Sequence, residues 1–126
     1  MQIMIKLLHK YAFILAGMFF ILQVSAQDSI QVLWEKANAY YTTEEYQQAI
    51  LAYEQIVNSG QESARLYFNL GNAYYKAGNI NQAILNYERA KLLAPQDPDI
   101  EFNLSLAKQF VATEIDALPQ PFFRRW

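Results

Sequence analysis

An all-α, right-handed helical solenoid of about two and a half helix-turn-helix repeats, behind an N-terminal hydrophobic helix, is the fold class this sequence predicts. A duplication is the main reason. Residues 38–54 recur as residues 72–88, 34 positions further on, with Asn38/Asn72, Ala39/Ala73, Tyr40/Tyr74, Tyr41/Tyr75, Gln48/Gln82, Ala49/Ala83, Ile50/Ile84, Leu51/Leu85, Tyr53/Tyr87 and Glu54/Glu88 identical. A partial third copy follows, in which Phe68, Asn69, Leu70 and Ala73 return as Phe102, Asn103, Leu104 and Ala107. Within the copies, apolar residues fall at the three-four spacing of helices. A fixed helical period of this length marks a stacked array, each unit needing its neighbours to bury its apolar face.

The N-terminal segment reads as an export address. Lys6, His9 and Lys10 form a basic start, Tyr11–Val24 is almost unbroken apolar sequence, and Val24-Ser25-Ala26 offers small residues for cleavage. A helix over that run rises about 21 Å, short of the ~30 Å hydrocarbon core, which favours a signal cleaved after Ala26 over a permanent anchor. Either route carries Gln27 onward across a membrane.

The first repeat helix begins at Asp28 or Ser29, with Gln31 in capping-box spacing from Asp28, and runs to about Tyr41 with Ile30, Leu33, Ala37 and Tyr40 on one face. Thr42 or Thr43 is expected to cap the next helix, about Glu45–Asn58, with Glu44 and Glu45 favouring its positive end. That helix buries Tyr46, Ala49, Ile50, Tyr53 and Ile56 and stops at Gly60, a residue free to turn left-handed. Ser63 caps the third helix, which ends at Ala77-Gly78. Asn79 and Gln82 form a capping box for the fourth, to about Leu93. Asp97 caps the fifth, with Pro98 in its first turn, and the pattern fades after Thr113. Ile100, Leu104 and Ala107 form one side of that helix, and an apolar strip of Ile100, Leu104, Phe110 and Val111 is expected to lack cover.

Composition narrows the chemistry. The 126 residues carry a net charge of −2 and no cysteine, so disulfides, thiolate metal sites and cysteine nucleophiles are excluded. No basic stripe is present to neutralise a phosphate backbone, which argues against nucleic acid as a partner. Removing residues 1–26 takes Lys6, Lys10 and the only histidine, His9. Eight Lys/Arg then face twelve Asp/Glu, a net of −4. Ser63 and Ser105 then have no histidine to activate them. The acidic pairs Glu44/Glu45, Glu101 with Asp97/Asp99, and Glu114/Asp116 sit at helix starts or in the tail, where the helix dipole and solvation explain them. No metal, cofactor or catalytic residue is expected.

The period and its filling resemble the tetratricopeptide repeat. Residues 64–97 place Tyr67, Leu70, Gly71, Tyr74, Gly78, Ala83, Tyr87, Ala90 and Pro95 at that family's marked positions. Residues 30–63 fit less closely, with Ala37 for the usual Gly, Ile56 for a small residue and Gln61 for Pro, and residues 98–113 supply only the first helix of a third repeat. The domain organisation expected is 1–26 signal or anchor, 27–113 repeats and 114–126 tail. The whole also resembles, more narrowly, the BatE family of tetratricopeptide proteins encoded in the aerotolerance operon of Bacteroides-type bacteria. Members of that family continue into membrane-spanning sequence, so a chain ending at Trp126 is either a shortened reading frame or a shorter relative. What this resemblance implies is a non-catalytic envelope scaffold whose partner is a protein or peptide segment, another envelope protein of the same operon. A membrane-anchored spacer with no groove ligand is the alternative.

In tetratricopeptide arrays the first helix of each repeat lines the concave groove. The resemblance therefore implies groove positions at Gln31, Trp34, Glu35, Asn38 and Tyr41, then Arg65, Phe68, Asn69, Asn72, Tyr75 and Lys76, then Asp99, Phe102 and Asn103. Side-chain amides there suit peptide N–H and C=O groups, and aromatics suit apolar side chains. Trp34, Phe68 and Phe102 recur at one repeat position, either as a stripe across the groove or as packing between first helices. Asn38, Asn69 and Asn72 also echo the clamp by which some family members hold a chaperone's C-terminal carboxylate. Trp34 stands where that clamp has a cation, and only Arg65 and Lys76 are near. The tail's Phe122, Phe123, Arg124, Arg125 and Trp126 suit either a bilayer surface or the face of the last helix around Leu106 and Phe110.

Overall fold

The computed structural model describes residues 29–117 and, ahead of them, residues 9, 11 and 12, which are helical. The expected signal or anchor and the aromatic-basic end of the tail lie outside the described residues. Five helices follow one another from residue 29: α1 (residues 29–42), α2 (Tyr46–Asn58), α3 (Ala64–Lys76), α4 (Ile80–Leu93) and α5 (Pro98–Ala117). Among the described residues there is no strand, and no helix is long and apolar enough to cross a membrane.

The helices stack in sequence, α2 on α3, α3 on α4 and α4 on α5. A first core joins Ala37 of α1, Ala49, Ile50, Ala52, Tyr53 and Ile56 of α2, and Leu66, Leu70 and Ala73 of α3. Two further clusters lie under α4 and α5, one around Ala83, Tyr87, Leu104 and Ala107, the other around Tyr67, Ala90 and Ile100. Buried alanines recur because the helices approach closely there. Gly71 marks one such close approach: a Cβ at that residue would stand 2.7 Å from the Tyr87 ring and 3.3 Å from the Ala83 carbonyl oxygen. Across α4 and α5, Lys108 pairs with Glu88 at 2.5 Å and Lys91 with Glu101, exposed pairs of modest worth.

The turns inside the two complete helix pairs are one motif written twice. At the end of α3, Asn79 N–H donates to the Tyr74 carbonyl and Gly78 N–H to that of Tyr75. At the end of α1, Glu45 N–H donates to the Tyr40 carbonyl and Glu44 N–H to that of Tyr41. Both are left-handed helix terminations, with Gly78 at φ 80° and Glu44 at φ 63°. Glu44 is the one non-glycine residue of positive φ among those described, at a position where the side chain is a burden. The third equivalent is Ala112, and there the chain does not turn. α5 continues to Ala117, four residues beyond the expected end at Thr113.

The caps divide. Ser63 Oγ accepts from Leu66 N–H at 3.1 Å, and Asp97 Oδ1 accepts from Asp99 and Ile100 N–H, as expected. Gly60 turns left-handed at φ 87°. The expected caps of α2 and α4 are corrected. Thr42 and Thr43 hydroxyls donate backwards to the carbonyls of Asn38, Ala39 and Tyr40, because a threonine in a last turn finds those acceptors first. Neither Glu45 nor Asn79 makes a side-chain cap.

The expected apolar strip on α5 is corrected in part: Phe110 is uncovered as expected and Val111 is half-buried, but the other two members are not exposed. Ile100 and Leu104 are each 2% exposed, turned into the cores beneath α4. The uncovered residues are Phe102 (65% exposed), Leu106 (39%) and Phe110 (50%). The repeat register explains the difference: Leu104 sits where Leu70 sits in α3, in the seam with the preceding pair.

Candidate functional site

Two adjoining basins lie along the face made by α1, α3 and α5. The larger, about 350 Å³, is lined by Asn38, Tyr41 and Thr42 of α1, Tyr53 of α2, and Arg65, Asn69 and Asn72 of α3. The smaller, about 200 Å³, is lined by Tyr41, Asn72, Tyr75, Lys76, Tyr87 and Asn103. Tyr41 and Asn72 belong to both, so the basins form one trough. Eight expected groove residues are thereby brought together: Asn38, Tyr41, Arg65, Asn69, Asn72, Tyr75, Lys76 and Asn103.

Trp34, Phe68 and Phe102 do not line the trough. Trp34 meets Tyr53 edge-on with ring centroids 5.9 Å apart, and Phe68 tilts against Tyr87 at the same distance. Each first-helix aromatic thus packs on the tyrosine of its own second helix, nineteen residues later, and both are half-buried. This is packing within a repeat, different from the two roles the sequence suggests. Phe102 has no such tyrosine among the described residues and stands exposed.

A hydrogen-bonded ladder forms the trough floor. Tyr53 Oη donates to Asn38 Oδ1 at 2.7 Å, and Tyr87 Oη donates to Asn72 Oδ1 at 2.8 Å, the same pair one period apart. Asn103 Nδ2 adds a second donor to Asn72 Oδ1 at 2.9 Å. The phenol heads of two tyrosines, each 1% exposed overall, thereby find acceptors. For Asn38 and Asn72 the amide oxygen is committed inside the protein, and the N–H₂ is the group left for a ligand. Burial pushes the Tyr53 hydroxyl up to about 12, against the opposing pull of the Asn69 amide, and burial raises Tyr87 too. Tyr41 is raised by burial and by neighbouring Tyr46. These three phenols are neutral donors at ordinary pH.

The charged groups at the trough are both cations. Arg65 lies over the Trp34 ring, 4.8 Å from its centroid, and neither Arg65 nor Lys76 has an ion-pair partner among the described residues. A floor of amide N–H₂ groups with two unpaired cations donates more hydrogen bonds than it accepts. It suits peptide carbonyls and carboxylates. Thr42, Tyr53 and Tyr87 are trough residues the sequence reading missed. For the tyrosines the signal was there: identity across the period beside an equally repeated asparagine fifteen residues earlier.

Among the described residues, no group of three or more His, Cys, Asp or Glu is placed to hold a metal ion. Glu54 accepts a hydrogen bond from the Tyr74 hydroxyl, whose pKa is pushed up to about 12 by burial and by that carboxylate.

Stacked helix pairs with a donor-lined trough define a helical-repeat scaffold. Two family models, both described as the tetratricopeptide repeat, match the chain, one over residues 64–97 and one over residues 30–59, together about half its length. The chain belongs to the tetratricopeptide repeat family, whose domains typically bind protein partners and are generally non-catalytic. No curated protein matches it.

Proposed function

We propose that this chain is a non-catalytic interaction scaffold of the cell envelope, holding an extended segment of a partner protein in the trough between α1, α3 and α5. The observation that carries the reading is the donor surplus of that trough: amide N–H₂ groups of Asn38 and Asn72 oriented by their buried tyrosines, with Arg65 and Lys76 unpaired beside them. An extended peptide supplies acceptors at every residue, and side-chain carboxylates supply counter-charges. Export is supported by the basic, apolar and small-residue order of residues 1–26. The BatE-type resemblance supports a partner encoded beside it and a place in aerotolerance. Phe122, Phe123, Arg124, Arg125 and Trp126 are proposed to rest at a bilayer surface.

The spacer reading has one specific observation in its favour, since the ladder already satisfies the amide oxygens of Asn38 and Asn72 without any ligand. Photocrosslinking discriminates the two. A crosslinking residue in place of Tyr41 or Tyr75 should capture a discrete envelope protein, and one in place of exposed Gln55 should not. Equal capture at all three positions, or none, sinks the trough reading. Export is checked separately by mass spectrometry of the mature chain, which should begin at Gln27.

A further inference from the structure

The trough changes chemistry along its length. Phe102, Leu106 and Phe110 follow Phe68, Asn72 and Lys76 by one full period, and Trp34, Asn38 and Thr42 by two. In the first two repeats the last two positions of each trio are polar and line the basins. In the third they are leucine and phenylalanine, exposed by 39% and 50%, with Phe102 before them at 65%. Leu106 and Phe110 lie three and seven residues after Asn103, on its stripe of the helix, and Asn103 lines the smaller basin. The apolar face of α5 therefore continues the trough floor. The opposite side of α5 is already used, with Ile100, Leu104 and Ala107 sealed against α4.

Resting on the trough-binding reading, we infer that the ligand is a polypeptide segment carrying carboxylates beside bulky apolar side chains. The carboxylates meet Arg65 and Lys76, and the apolar side chains cover Phe102, Leu106 and Phe110. Charge selects this occupant over two others. The chain's own end has Phe122, Phe123 and Trp126 for the apolar floor, but its charges are Arg124 and Arg125, the wrong sign for Arg65 and Lys76. A second copy set apolar face to apolar face would leave both cations unanswered. One segment of mixed character answers both ends, with apolar burial giving affinity and the ion pairs giving register.

The test is fluorescence anisotropy with the full chain and labelled synthetic peptides. One carries a glutamate block followed by a leucine-phenylalanine block, one replaces the glutamates by glutamine, and one replaces the apolar block by serine. The block peptide should bind roughly tenfold tighter than either altered peptide, a factor worth about 1.4 kcal/mol. Arg65→Glu with Lys76→Glu should erase the preference for glutamate over glutamine. Phe102→Ser with Leu106→Ser, both exposed, should erase the preference for the apolar block. If peptides bind but the α5 pair leaves affinities unchanged, this inference fails and the trough reading survives. If none binds, both fall. Two other results overturn it in favour of a different occupant: a roughly tenfold gain in affinity on deleting residues 118–126, or a dimer that Phe102→Ser disperses.

Discussion

The two complete helix pairs, α1–α2 and α3–α4, hold the same Tyr–Asn bond at the same place and differ where the chain turns and where its helices touch. In the second pair Gly71 lets the Tyr87 ring lie against the backbone, and Gly78 turns without strain. In the first, Ala37 and Glu44 stand at those positions, Ala37 fully buried and Glu44 held at φ 63°. The difference teaches which parts of the period are obligatory. The tyrosine, its asparagine and the first-helix aromatic recur because they interlock; the turn residue drifts because a left-handed glutamate costs only about 1–2 kcal/mol.

Cutting the interlocking tyrosine should do most damage. Tyr87→Ala removes a ring packed against Gly71 and Phe68 and leaves Asn72 without its phenol. It should cost roughly 3–5 kcal/mol by urea unfolding, with Tyr53→Ala close behind. A smaller loss for Tyr53 than about half that of Tyr87 would show that the first pair closes less tightly. Alkali attacks both pairs. The folded state holds the protons of Tyr53 and Tyr74 up to about pH 12, and the unfolded chain releases them near 10. Their stabilising contribution is whole below pH 10 and disappears as pH climbs to about 12, so the urea midpoint should fall across that window. A flat midpoint there contradicts the buried phenols.

Gly71→Ala should follow, at about 1–3 kcal/mol from overpacking against Tyr87, whereas the reciprocal Ala37→Gly should cost only about 0.5–1 kcal/mol in helix propensity. Equal effects would mean that the two seams are equally wide. The last change should be a gain. Glu44→Gly relieves the positive φ and should stabilise by about 1 kcal/mol, read as a higher melting temperature.

The helices, their order and most buried residues were legible in the sequence because a repeated apolar pattern needs no knowledge of partners. Ser63 and Asp97 were legible as caps for the same reason: each acts on the turn that follows it. Thr42 and Thr43 were not, since a hydroxyl at a helix end chooses between free N–H groups ahead and carbonyls behind, and only geometry decides. Asn38 and Asn72 line the basins, and their hydrogen-bond partners, Tyr53 and Tyr87, were not legible as part of that floor. The two halves of each bond sit on different helices. On α5 Phe110 was legible as uncovered, but Ile100 and Leu104 were not legible as buried, because they look as free in the sequence as Phe102 does until α4 is in place.

Buried Asn86 adds a smaller lesson. Its Nδ2 donates to the Gln82 carbonyl while its Oδ1 has no partner, at a position where the first pair has Ala52. Repetition tolerates a polar mismatch on the second helix that the interlocked tyrosine would not.

Ala112 stands where Gly78 and Glu44 reverse the chain, and its helical backbone turns α5 into a rod. Twenty residues at 1.5 Å each carry the main chain on the order of 30 Å from Pro98 to Ala117. The near half of that rod is spent on the seam with α4, through Ile100, Leu104, Ala107 and Lys108, so the stiff length able to reach past the stack is no more than about 14 Å of helix.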